Sequence, residues 1–210
     1  MRMILLAAGV AALALGAAAQ ANAAEIFSFT GGNSSPSAGY TVIDNFDTTA
    51  GLTGTYQLKV PPADGSGAPP AFASPGGSYL SVLGGDSATY TFATPVTSFE
   101  YDWGSVDSYN TLTVDFVGGG TATVTGADIV NPANGDQTLA TTNGLFQYSG
   151  TNQIAGITLT SSQNSFEIDN LAIPSVPEPA TWGLMLIGIG GIGAAMRTAR
   201  RRNAAVFATA

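Results

Sequence analysis

The sequence predicts an all-β protein: an antiparallel β-sandwich, jelly-roll-like, with an N-terminal signal peptide and a single C-terminal transmembrane helix. Three observations carry this. Between residues 24 and 173 apolar and polar residues alternate in short pieces, the period of a half-buried strand. Clusters of Gly, Asn, Asp, Ser and Pro separate those pieces, as turn chemistry requires. Long uncharged runs occur only at the two ends.

The N-terminus opens with Met1-Arg2, a minimal positive region, followed by an Ala-rich apolar run over 4–19. Ala21-Asn22-Ala23 then has the small-x-small form that signal peptidase cuts. Cleavage is expected after Ala23, so residues 1–23 are read as a signal peptide and signal peptidase as the first processing partner.

Residues 24–173 remain as one ectodomain. Predicted strands cover 25–29, 40–46, 55–60, 79–83, 88–93, 96–103, 111–117, 121–125, 145–148, 154–160 and 165–173. Two loops interrupt this rhythm, the Gly- and Ser-rich 31–39 and the Pro-rich 61–77. Connections that long are mobile or functional, and mobility is expected here. No fixed internal repeat favours a solenoid.

Composition excludes whole classes of chemistry. The chain has no histidine and no cysteine. A Ser-His-Asp triad, a Cys-His pair and a His-based zinc site are therefore impossible, and the exported domain has no disulfide to rely on. Between 24 and 175 the only basic residue is Lys59, against thirteen carboxylates. Nucleic acid, held through counterion release by Lys and Arg, is excluded as a partner. Cations, neutral glycans and basic surfaces stay compatible with that charge.

Three constellations remain as candidates. Phe99, Tyr101 and Trp103 alternate and so share one face of a strand. Such a row is either core or a platform for sugar rings, with Trp103 and Tyr101 as the glycan-binding candidates. Glu100 and Asp102 share the opposite face, roughly 6.5–7 Å apart by strand rise. That overlaps the spacing of paired glycosidase carboxylates, although a solvated face is the plainer reading. Calcium takes six to eight oxygen ligands and needs no histidine. Asp47 follows Asp44 in an early turn, and Asp169 lies in Phe166-Glu167-Ile168-Asp169-Asn170. That late-strand motif resembles jelly-roll carbohydrate-binding modules, in which such an Asp and an early acidic residue hold structural calcium. The resemblance implies Asp47 and Asp169 as metal ligands; turn-capping carboxylates are the alternative.

The C-terminal stretch is the most informative. Pro177-Glu178-Pro179 comes first, and its prolines resist helix and sheet alike. Residues 180–196 follow, 17 positions without a charge. As a helix they would span about 26 Å, at the short limit for a hydrocarbon core of about 30 Å. Trp182 suits one membrane interface, and Arg197, Arg200, Arg201 and Arg202 suit the cytoplasmic side. Gly183, Gly188, Gly190, Gly191 and Gly193 weaken the helix, so the anchor reads as weak and temporary. Pro-Glu-Pro, Trp182, a short Gly-rich apolar helix and an Arg cluster, in this order, resemble the PEP-CTERM sorting signal. In that family an exosortase is thought to process the protein for surface display in Gram-negative bacteria. One departure is the eight-residue tail, 203–210, beyond the arginines.

The polar turn 102–110, with 39–47 and 79–85, also resembles one group of exosortase-dependent surface proteins; this implies a location and not a ligand. The expected product is a non-catalytic protein of the cell surface or extracellular matrix, reached through an inner-membrane intermediate. Exosortase and exopolysaccharide are its expected partners, and structural calcium its only candidate cofactor. A calcium-assisted carbohydrate-binding module and a carboxylate-based glycosidase are the alternatives. The expected organisation is 1–23 signal peptide, 24–173 ectodomain, 174–202 sorting signal with its helix at about 180–196, and 203–210 cytoplasmic tail.

Overall fold

The computed structural model describes residues 25–73, 77–175 and 179–207, with side chains of the last segment described for 183–197. The predicted signal peptide with Ala21 and Ala23, and the pair Pro177 and Glu178, lie outside the described residues. So do the side chains of Pro179, Trp182, Arg200, Arg201 and Arg202.

Ten strands form the domain: β1 (Ile26–Gly31), β2 (Tyr40–Asp44), β3 (Leu52–Thr55), β4 (Gln57–Lys59), β5 (Tyr79–Val82), β6 (Ser87–Gly104), β7 (Asn110–Phe116), β8 (Thr121–Thr125), β9 (Gly144–Ser161) and β10 (Phe166–Pro174). One helical turn, α1 (Gly126–Ile129), follows β8, and α2 (Pro179–Phe207) closes the chain. Every strand pairing is antiparallel. The domain is therefore all-β, as predicted.

The architecture turns on two strands that sequence alternation splits in half. The pieces predicted at 88–93 and 96–103 are one strand, β6, and those at 145–148 and 154–160 are one strand, β9. Pro95 lacks an N–H, and Gly150 opens a polar stretch, so the apolar rhythm lapses where each strand bends. The register shifts at Thr91/Val96 and Val96/Ser98 mark the bend. On one side of it the order is β3-β6-β9-β7-β8. On the other it is β1-β9-β6-β10, with β10 continued by β2 and by β5-β4. The result is one ten-stranded sheet, folded over into a sandwich-like form, rather than two separate sheets.

Both halves feed a single core, in which Leu112, Val114 and Leu159 join Phe99, Tyr101, Trp103, Phe146 and Phe166. Trp103 stacks on Phe166 with ring centroids 4.5 Å apart, and Tyr101 stacks on Phe146 at 4.8 Å. Trp103 and Tyr101 are both 0% exposed. The glycan-platform reading of these two residues is thereby corrected. Their face of β6 looks into the core, because alternation puts all three aromatics on the side that removes most apolar area from water.

At the C-terminus α2 forms where a helix is predicted, and it runs through the arginine positions to Phe207. Residues 203–207 of the predicted tail continue that helix. The described uncharged side chains, 183–196, cover about 21 Å of helix. Among the described residues no helix is long and apolar enough to cross a membrane. Side chains are described from Gly183 onward, so the predicted run 180–196 lies only partly within the described residues.

Candidate functional site

The acidic residues occupy the second face of β6 and β10, behind the aromatic core. Alternation places Glu100 and Asp102 opposite Phe99, Tyr101 and Trp103, and it places Glu167 and Asp169 opposite Ile168. All four carboxylates are buried. This overturns both the solvated-face and the glycosidase readings of Glu100 and Asp102, since neither side chain is open to a substrate. Loops fold over them, and Glu100, Asp102 and Glu167 hold the loops.

The 31–39 loop is tied down this way. Ser37 N–H donates to Glu100 Oε1 at 2.5 Å, Ser37 Oγ to Oε2 at 2.6 Å, and Gln147 Nε2 to Oε2 at 2.8 Å. Ser35 N–H donates to Asp102 Oδ1 at 2.6 Å, and Asn170 Nδ2 donates to Oδ2 at 2.8 Å. The expected mobility of this loop is corrected accordingly: carboxylates at its base satisfy its backbone donors. Glu100→Ala strands those donors and is expected to cost about 1–3 kcal/mol. Limited proteolysis should then cut within 31–39 under conditions that leave the native chain intact; equal resistance would show that the clamp contributes nothing.

Glu167 does the same for the Pro-rich segment. Ala68 N–H donates to its Oε1 at 3.2 Å, Ser105 Oγ donates to Oε2 at 3.0 Å, and Ser165 Oγ also donates to Oε1. Gly104 is small because the loop rests on it: a Cβ there would lie 2.9 Å from Pro70 Cα. Beside Glu167 opens a cleft of about 180 Å³, walled by Asp64, Ser105, Asp107, Tyr109, Asn134 and Gln137 among others. Its wall includes Ser105 at φ +41°, a left-handed conformation unfavourable for a side chain and associated with functional sites. Burial raises the Asp107 carboxyl above its ordinary value, against the lowering effect of Tyr109.

Asp47 and Asp169, the predicted metal pair, do come into electrostatic reach of one another. Burial lifts Asp169 to about 7, an increase opposed by the Asn170 N–H and reinforced by the charges of Asp102, Asp47 and Asp44. Asp102, its register partner on β6, is lifted to about 6, again chiefly by burial. Asp47 is a turn-capping carboxylate: it accepts from Asn45 Nδ2 and from Ser78 N–H, each at 2.7 Å. Among the described residues no group of three or more carboxylates is placed to hold a metal ion. The predicted turn 102–110 already contains Ser105, Asp107 and Tyr109. The other walls of the cleft come from segments far apart in sequence, and no local pattern joins them.

An all-β domain with buried acidic struts, followed by a Pro-Glu-Pro segment and a Gly-rich helix, defines the class: an exported domain carrying a C-terminal sorting signal. Residues 175–202 match the PEP-CTERM protein-sorting motif, so the chain carries a PEP-CTERM sorting signal. That motif implies processing by exosortase and sorting to the cell surface or extracellular space. No curated protein matches the chain. Among solved structures it is similar to the catalytic domain of a GH87 alpha-1,3-glucanase in complex with tetrasaccharides, at 15% identity and TM-score 0.39. A second GH87 glucanase, from Streptomyces thermodiastaticus, gives 16% and 0.37. These alignments cover 71% and 69% of this chain but only 30% and 27% of the glucanase chains. A carbohydrate-binding module of Cellvibrio mixtus lichenase 5A, solved with cellotriose, gives 12% and 0.29 over 73% of this chain and 98% of its own. Likenesses this low establish no activity for this chain.

Proposed function

We propose that this protein is a non-catalytic surface or matrix protein whose β-domain is exported, held briefly at the inner membrane by 183–196, and freed by exosortase near Pro177–Pro179. The observation that carries the reading is the sorting motif at 175–202. Two further features support it. The uncharged run 180–196 is at the short limit for a bilayer span and carries five glycines, as suits a transient intermediate. The buried carboxylates of β6 and β10 brace loops, a structural use that suits display better than catalysis.

Deleting 177–202 tests the proposal. Cell fractionation is expected to show the intact chain at the surface or in the medium and the deleted chain accumulating in the periplasm. An unchanged distribution would sink the sorting role. Intact mass of the surface form adds a second check, since a species beginning at Ala24 and lacking 183–210 is the expected product.

A further inference from the structure

We infer that the cleft beside Asp107 binds a primary ammonium group, carried on a molecule no larger than about one sugar ring. The cavity, about 180 Å³, has room for about six waters at roughly 30 Å³ each. Its walls come from four separate stretches, around 64–67, 105–109, 134–137 and 164–167, and they are lined by polar groups. Three of the lining side chains are carboxylates, so an anion is rejected.

The three carboxylates are not equivalent. Glu167 is saturated by Ala68, Ser105 and Ser165. Asp64 is saturated by Lys59 Nζ, 2.6 Å from both of its oxygens, and by Ser66 N–H at 2.8 Å. Asp107 is left over. It is 9% exposed, and the one donor set against it is the Tyr109 hydroxyl. That hydroxyl has a single proton, and it is directed at Asn164 O at 2.7 Å. At least one Asp107 oxygen therefore faces the cavity without a donor. A buried carboxylate in that state is costly until a charged donor reaches it. The wall formed by Asp64 already shows what satisfies such a group here, because it holds the ammonium of Lys59, the only lysine in the sequence. With no set of three carboxylates arranged for a metal ion among the described residues, an organic ammonium is the cation that fits. The assignment does not depend on the sorting reading.

Titration calorimetry on the full chain, with glucosamine and glucose as probes, separates the ammonium from the ring that carries it. Glucosamine is expected to bind about tenfold or more tighter than glucose, the effect of one charge-assisted hydrogen bond. Asp107→Asn should abolish that preference. Gln137→Lys, which sets an ammonium of the chain's own on the exposed rim, should weaken glucosamine binding with the melting temperature unchanged. This second variant reads the same site should Asp107→Asn fail to fold. Equal binding of the two probes, binding of neither, or a preference surviving in folded Asp107→Asn would each overturn the assignment.

Discussion

Lowering the pH from about 7.5 to about 5 is expected to raise the melting temperature of this protein by roughly 5–10 °C. Asp102 at about 6 and Asp169 at about 7 hold their protons more tightly in the folded chain than in the unfolded one, and Asp44, Asp107 and Glu167 are shifted in the same direction. Burial is the leading cause in each case. A raised folded value means that the stability a group contributes is complete below its unfolded value, near 4, and is lost as pH rises through its folded value. For Asp102 alone this amounts to about 3 kcal/mol in order of magnitude; Asp169 is coupled to it, so the two do not simply add. Carboxyls shifted the other way, Asp64, Asp128 and Asp136, lose their contribution only at still lower pH. Stability should therefore peak between about pH 4 and pH 5. Asp169→Asn removes a buried charge from beside Asp102. It should raise the melting temperature at pH 7.5 and flatten the pH profile. A melting temperature that is level or falling between pH 7.5 and pH 5 would mean that these carboxylates are better solvated than their burial indicates.

Trp103→Ala is expected to cost about 3–5 kcal/mol, which lowers the melting temperature by roughly 10 °C or more in a domain of this size. The indole is fully buried, lies 4.5 Å from Phe166 and 5.4 Å from Phe146 by ring centroids, and has no open side onto which its neighbours could relax. Its N–H has no hydrogen-bond partner, so Trp103→Phe, which discards that donor but keeps a ring, should retain most of the stability. Chemical denaturation of the two variants checks this. A loss below about 1 kcal/mol for the alanine variant would place Trp103 outside the core and reopen it as a surface platform.

Sequence patterning located most strands because alternation is a local property. Residues 121–125 are read as a strand and form β8 over the same positions, and 79–83 differs from β5 by one residue. Patterning failed where the cause is not local. Pro95 and the polar stretch after Tyr148 interrupt the period without ending the strand, because the partner strand bends in the same place and pairing resumes beyond the bend. It failed again at Glu100 and Asp102. A strand with apolar residues on one side and acids on the other looks half-solvated, and nothing nearby in sequence announces that Ser35 and Ser37 will cover the acidic side.

By itself the sequence determined that this protein is all-β, that it lacks histidine and cysteine chemistry, and that it ends in a sorting signal. Each of these depends on composition or on residues within one short stretch. Only the tertiary structure decided that Tyr101 and Trp103 are core, that the acids of β6 and β10 brace loops, and that Asp107 faces a polar cleft without a full set of donors. Burial and hydrogen-bond satisfaction are set by segments that lie 60 to 100 residues away, as the pairs Ser35–Asp102 and Ala68–Glu167 show. No local pattern encodes which distant loop will close over a given carboxylate.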